Sequence, residues 1–308
     1  MRVRYLSMDP TIRGWLERDT YLPKIEEGAV IAPDLFAVRL LGGGRRYEAY
    51  LAWDDALHAL VVVKIVRPKL VEAGAGLTGL TAEARALEAL NHPTVVRMFD
   101  AVLDGDRPHI VLEHLEGPRL SSLIRRQGPL PEQQYLPLAI ELSSALHYLG
   151  RLGYVHLDIK PSNVIMGAPA KLIDLSLART VEEARGLTHE VGTDSYMAPE
   201  QCDPSGSSAP PGPASDVWGL GAALYQAIEG MQAFPDGDPD SDFLVERFPQ
   251  LELAPRPFTR RVAVDVAEVV VDCLSPDPRD RPSPREVAER LEPALSRAPR
   301  GRLTFKVR

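Results

Sequence analysis

Tyr154-Val-His-Leu-Asp-Ile-Lys-Pro-Ser-Asn-Val-Ile165 decides how this chain is read. An apolar run meets a tight polar cluster and then resumes. Asp158, Lys160 and Asn163 put an anionic acceptor, a cation and an amide oxygen within six consecutive positions. Pro161 removes a backbone donor and stiffens the turn. A carboxylate beside an ammonium suits a site where a hydroxyl loses its proton while a phosphate gathers charge. An amide oxygen a few residues on suits a hard cation such as Mg2+, which prefers oxygen ligands.

Taken alone, the segment could be a charged surface turn. Its core, HLDIKPSN, nevertheless resembles the catalytic loop of protein kinases, and the Lys two residues after the Asp resembles the serine/threonine branch. The resemblance implies an α+β, bilobal protein-kinase-like fold. Its N-lobe would be small and β-rich with one helix; its C-lobe would be larger and mainly helical. The order and spacing of the other segments support this reading.

Upstream, Leu35 to Ala52 reads as strand, glycine turn, strand. Gly42, Gly43 and Gly44 let backbone amides approach a phosphate. Tyr47 stands where the family pattern has its third glycine. Ala59 to Val66 is an apolar, β-branched strand carrying one charge, Lys64, which is costly to bury unless paired. It could be an outward-facing edge residue. It resembles the family lysine that holds the α and β phosphates. A helix over Leu80–Leu90, rich in Ala and Leu, supplies Glu83 as its partner and stops at Asn91-His92-Pro93. By the resemblance, Leu41, Ala49, Val62 and Ile165 contact the nucleotide. Ala49 and Val62 exchange the sizes usual at those two positions, a volume-conserving swap. His109 to Gly117 resembles the hinge, with Leu112 as gatekeeper and the backbone of Glu113 and Leu115 meeting the adenine edge. A further helix, Pro131 to Leu149, leads into the catalytic loop.

Downstream, Asp174-Leu175-Ser176 resembles the D-F-G segment. The resemblance makes Asp174 and Asn163 the Mg2+ ligands. Ser176 replaces a glycine and restricts the backbone there. Val191 to Glu200 resembles the end of an activation segment. Thr193 is then expected to contact Asp158 and Lys160, and Glu200 to pair with Arg281. Asp203 to Ser215 is a Pro-, Gly- and Ser-rich loop. A buried helix is expected from a cap at Ser215 to Gly230, with Asp216 tying down the catalytic loop. Leu157 replaces the Arg that pairs with a phosphothreonine in many relatives. Weak dependence on phosphorylation of Thr180 or Thr188 is therefore expected.

Composition narrows the function classes. The 308 residues carry a net charge of −8 with a pI near 5.5, which argues against a nucleic-acid surface. No apolar run approaches the roughly 20 residues that span a bilayer, and no secretory signal is apparent. Two cysteines, Cys202 and Cys273, do not make a disulfide framework and fit a cytoplasmic protein. Lys is scarce beside Arg, so a Lys inside a motif is informative. Val3 to Leu16 is similar to a short segment near the start of medium-chain quinone and alkene reductases. It is too short to carry a nicotinamide site and reads as an extension.

The expected organisation is an N-terminal extension over 1–33, an N-lobe over 34–116, a C-lobe over 117–293 and a basic tail over 294–308. The expected function is a serine/threonine protein kinase. Asp158, Lys160, Lys64, Glu83 and Thr193 form its catalytic set, with ATP and Mg2+ as cofactors and Mn2+ able to substitute. Its partners would be ATP and protein substrates. Tyr47, Leu157 and Ser176 support a rival reading, a pseudokinase that binds nucleotide or scaffolds without phosphotransfer. A small-molecule kinase of the same fold is disfavoured by the Gly192-Thr193 and A-P-E segment.

Overall fold

The computed structural model describes residues 25–43, 46–67, 75–207 and 209–298. The chain divides into two compact units. Of the described residues, one comprises those up to Glu88 together with Val96–Leu115; the other comprises Ala89–Val95 and those from Glu116 onward. The expected N-lobe thus ends one residue earlier than 116 and surrenders 89–95 to the second unit.

Among the described residues the first unit is an antiparallel six-stranded sheet with one helix. Its strands are β1 (Val30–Ala32), β2 (Leu35–Gly43), β3 (Tyr47–Asp54), β4 (Ala59–Val66), β5 (Met98–Val102) and β6 (His109–Glu113), in the spatial order β1-β2-β3-β4-β6-β5. Helix α1 is Ala75–Ala89, longer at its start than the expected Leu80–Leu90. Val61, Val63 and Ile65 alternate with Val62 and Lys64 along β4, so one face of the strand is fully apolar. That face joins Ile31, Leu35, Ala37, Tyr50, Ala52 and Val111 in a single core. β1 falls inside the span expected as an extension; Ile31 is buried and the strand pairs with β2, so the sheet begins before residue 34. The reductase-like segment lies outside the described residues.

The second unit is mainly helical: α2 (Leu120–Gln127), α3 (Glu132–Arg151), α4 (Val181–Arg185), α5 (Pro199–Cys202), α6 (Pro213–Glu229), α7 (Leu244–Arg247), α8 (Val264–Cys273) and α9 (Pro284–Arg297). Short strands β7 (Tyr154–Val155), β8 (Val164–Ile165), β9 (Lys171–Leu172) and β10 (Arg179–Thr180) pair as β7–β10 and β8–β9. α9 runs past residue 294, so the expected tail begins inside a helix; residues 299–308 lie outside the description.

α6 is the core helix, buried on nearly every side as its small apolar residues require. It starts at Pro213, not at Ser215, because Pro is well suited to the first helical position. It ends at Gly230 in a left-handed conformation, as expected. Gly219 is the position that brings the catalytic loop in close: a Cβ there would lie 2.9 Å from the Ile159 carbonyl oxygen. A side chain on α6 would push Ile159 away, and with it the loop that carries Asp158.

Candidate active site

The expected residues fall into two groups, one in each unit. In the first unit the sheet register aligns the nucleotide-contact candidates. Ala49 lies opposite Lys64, and Val62 lies opposite Leu112. Because directly paired and alternate residues share a face, Ala49, Val62, Lys64 and Leu112 point to the same side of the sheet. Lys64 Nζ is 2.5 Å from Glu83 Oε2 on α1, and Glu83 is wholly buried. The nineteen-residue separation read from the sequence thus closes into an ion pair. The glycine turn is partly described: Gly42 and Gly43 end β2, and Gly44 lies outside the described residues along with Arg45. Gly43 has a local reason to lack a side chain, since a Cβ would lie 2.8 Å from the Tyr47 carbonyl oxygen. Leu41 is half-buried on β2. The Glu113 N–H donates to the Arg97 carbonyl at 2.9 Å, so an adenine contact at this residue would fall to its carbonyl. Leu115 follows two residues on, half-buried, at the end of the unit.

In the second unit the catalytic loop is assembled by side chains distant in sequence. Asp216, in the first turn of α6, accepts the N–H groups of His156 and Leu157, each at 2.7 Å. Burial pushes its carboxyl up to about 7, and the two backbone bonds pull in the opposite direction. His156 is also fully buried; desolvation lowers its pKa and favours the neutral imidazole. Its Nδ1 accepts the Asp158 N–H at 3.3 Å.

Asp158 sits inside a closed polar network. Its Oδ1 accepts the Thr193 hydroxyl at 2.7 Å. Its Oδ2 accepts Asn163 Nδ2 at 3.0 Å and lies 2.7 Å from Lys160 Nζ. Lys160 Nζ also donates to Thr193 Oγ1 at 2.6 Å. Pro161–Asn163 forms a single 3-10 turn, which delivers Asn163 back toward Asp158. The Asn163 amide nitrogen donates to the Asp158 main-chain oxygen as well, at 3.0 Å. Its remaining polar function is therefore Oδ1.

The β8–β9 hairpin then brings Asp174 near. Ile165 pairs with Lys171, and the Ile173 N–H donates to the Asn163 carbonyl at 2.8 Å. Asp174 follows in a left-handed backbone conformation, and Leu175 behind it is fully buried. An amide oxygen and a carboxylate suit Mg2+, which takes one or two protein oxygens and completes its shell with water and phosphate. The donor set fits that ion.

Two sets of contacts have no signature in the sequence. Gln201 donates through Nε2 to the carbonyls of Leu157 at 2.9 Å and Val191 at 2.7 Å, pinning the activation segment to the catalytic loop. Leu157 itself is buried with Val155 and Ala184, and Val181 and Leu187 pack on them. No spacing rule announces a Gln that bonds two carbonyls. Leu157, by contrast, was visible as a departure from the family pattern; only its apolar company was not. The other expected pair is present: Arg281 grips Glu200 through two nitrogens, at 2.7 and 2.9 Å, with both side chains buried.

Comparison with known proteins agrees with this geometry. Residues 36–291 match the family described as protein kinase domain. The chain is similar to the serine/threonine-protein kinase PknB of Mycobacterium leprae, 30% identical over 251 residues, which cover 79% of this chain and 40% of that protein. It is similar to the serine/threonine-protein kinase pkn2 of Myxococcus xanthus, 32% identical over 291 residues covering 87% of this chain and 34% of the relative. It also resembles the serine/threonine-protein kinase PknK of Mycobacterium tuberculosis, at 32% over 256 residues, 80% of this chain and 22% of the relative. The chain therefore spans two fifths or less of these proteins. Among the described residues no helix is long and apolar enough to cross a membrane.

Proposed function

We propose, for a chain that belongs to the protein kinase family and to its bacterial serine/threonine branch, that it transfers the γ-phosphate of ATP to Ser or Thr hydroxyls of protein substrates. Asp158 orients the incoming hydroxyl and takes its proton as the oxygen bonds to the γ-phosphorus. The bond from that phosphorus to the β–γ bridging oxygen breaks, and ADP leaves. Lys160 offsets charge on the transferring group. Lys64, fixed by Glu83, holds the α and β phosphates. Leu41, Gly42, Gly43, Gly44, Ala49, Val62, Glu113, Leu115 and Ile165 receive the nucleotide. Asn163 and Asp174 would hold Mg2+, which would supply positive charge against the phosphates. The protein contributes positioning and electrostatics and needs no covalent intermediate.

The observation that carries this reading is the network on Asp158. Thr193, from the activation segment, bonds both the proton acceptor and the cation beside it, at 2.7 and 2.6 Å. A scaffold without chemistry has no need to hold a carboxylate and an ammonium this close. The reading includes a cytoplasmic location, supported by two buried free thiols, Cys202 and Cys273, and protein rather than nucleic-acid partners, supported by the net charge of −8.

The test is a radiolabelled ATP assay with and without a generic protein substrate. Asp158→Asn and Lys64→Ala should each abolish labelling, while Asp158→Asn still binds MgATP. Labelling that persists in both variants would overturn the roles. Nucleotide binding without labelling in the unaltered protein would favour the pseudokinase.

A further inference from the structure

Tyr47 occupies a position where the family pattern has glycine, and its side chain has two placed contacts in the first unit. Its hydroxyl donates to the Gly76 carbonyl, in the first turn of α1, at 3.0 Å. Its ring lies against Lys64, with Nζ 4.7 Å from the ring centroid. The register explains the second contact. Tyr47 pairs with Val66 and Ala49 with Lys64, so Tyr47 and Lys64 are diagonal neighbours on one face of the β3–β4 pair. The same ammonium is 2.5 Å from Glu83 on α1.

We infer that Tyr47 is a positioning residue that holds the Lys64 ammonium and the start of α1 in the phosphate-binding arrangement. An ammonium on a four-carbon stem has many rotamers, and ordering it costs entropy when a ligand must do so. The carboxylate of Glu83 restrains it from one element and the electron-rich face of the Tyr47 ring from another. The hydroxyl bond to Gly76 ties the ring to the helix that carries Glu83. Lys64 therefore meets a phosphate already fixed, and affinity rises because less ordering remains to be done. The exchange of glycine for tyrosine also replaces a freely rotating backbone position with a side chain anchored at both ends.

This inference rests on the proposed nucleotide role of Lys64, and the test separates the two. The chain has six lysines in all, few enough for dimethyl-lysine NMR to resolve Lys64. In the unaltered protein the Lys64 signal should be shifted upfield by the ring current. Tyr47→Phe should keep the shift, and Tyr47→Leu should abolish it. Calorimetry with MgATP should then give a Kd about five- to tenfold weaker for Tyr47→Leu and about two- to threefold weaker for Tyr47→Phe, which keeps the ring on Lys64 and loses only the hydroxyl bond to Gly76. Thermal unfolding of both variants checks that the fold survives. An unchanged Lys64 signal in Tyr47→Leu, or an unchanged Kd where the signal does move, overturns the positioning role. Failure of the unaltered protein to bind MgATP would instead sink the nucleotide reading, with the NMR result still deciding where Tyr47 holds Lys64.

Discussion

Lys64 and Asp158 are both charged, both largely buried and both central to the proposed chemistry, yet they are supported differently. Lys64 sits on a strand and reaches Glu83 on a helix nineteen residues later, with Tyr47 lying against it. That support works only while α1 keeps its place on the sheet. Asp158 is on a loop, and its neighbours are themselves anchored: Asp216 holds the preceding backbone, Gln201 holds Leu157, and Thr193, Lys160 and Asn163 hold the carboxylate. A loop is the less rigid scaffold, so more contacts are needed to fix it. Groups in one hydrogen-bonded network also couple, and removing one weakens the others.

The sharpest test compares the two buried ion pairs. Glu200→Gln leaves the Arg281 guanidinium buried without a counter-charge, and an Arg cannot discharge. The loss of stability should be about 3–5 kcal/mol, read as a lowered thermal midpoint. Glu83→Gln leaves a lysine that can give up its proton, so its stability loss should be smaller. Its loss of phosphotransfer should be larger, about 100-fold or more, because Lys64 is no longer held for the phosphates. Equal stability losses for the two variants would break the comparison.

A second test uses pH. Asp216 has a carboxyl raised from 3.8 to about 7 in the folded protein, so the native state holds a proton that the unfolded chain releases. This group alone makes stability fall as pH rises from about 4 to about 7. His156 acts in the other direction. Its lowered pKa means that stability is lost as pH falls below its ordinary 6.5, where the unfolded chain takes up a proton first. Asp216→Asn removes the first contribution and leaves the second. It also loses one of the two acceptors for the His156 and Leu157 N–H groups, costing about 1–3 kcal/mol. Denaturant titrations from pH 8 to pH 5 should show the variant losing stability more steeply on acidification. A parallel offset at every pH would remove Asp216 as a titrating group.

The smallest expected effect concerns phosphorylation. Thr180 is the N-cap of α4, in a capping box with Glu183, so replacing it by Ala would remove a cap as well as a phosphate acceptor. Thr180→Asn with Thr188→Ala keeps a capping side chain and removes both acceptors. Activity should stay within twofold of the unaltered protein. A tenfold loss would mean that the segment needs a phosphate after all.

Much of this was legible in the chain because the responsible residues are chemically conspicuous. A lone Lys in an apolar strand, a Glu nineteen positions later and an Asp at the start of a small-residue helix each stand out against their surroundings. Glu200 and Arg281 pair across a separation of eighty-one positions because both belong to recognisable motifs. The ends of elements were less legible. β1 is three residues long and alternates too briefly to be distinguished from an extension. The start of α6 was misplaced because Ser215 looks like a cap; its hydroxyl instead donates to Glu200 at 2.7 Å. Gln201 and the apolar surroundings of Leu157 depend on contacts across the fold, and neither has a period or a spacing that could reveal it. Tyr47 stands out in the sequence as a departure from the family pattern, but its contacts with Gly76 and Lys64 come from the sheet register and the placement of α1.

Leu157 carries a consequence for control. Val155 and Leu157 meet Val181, Ala184 and Leu187 through hydrocarbon, and aliphatic carbon offers phosphatases nothing to remove. A contact made of hydrocarbon has no charge for a phosphate to meet, so adding or removing a phosphate elsewhere in the segment leaves this junction itself unchanged.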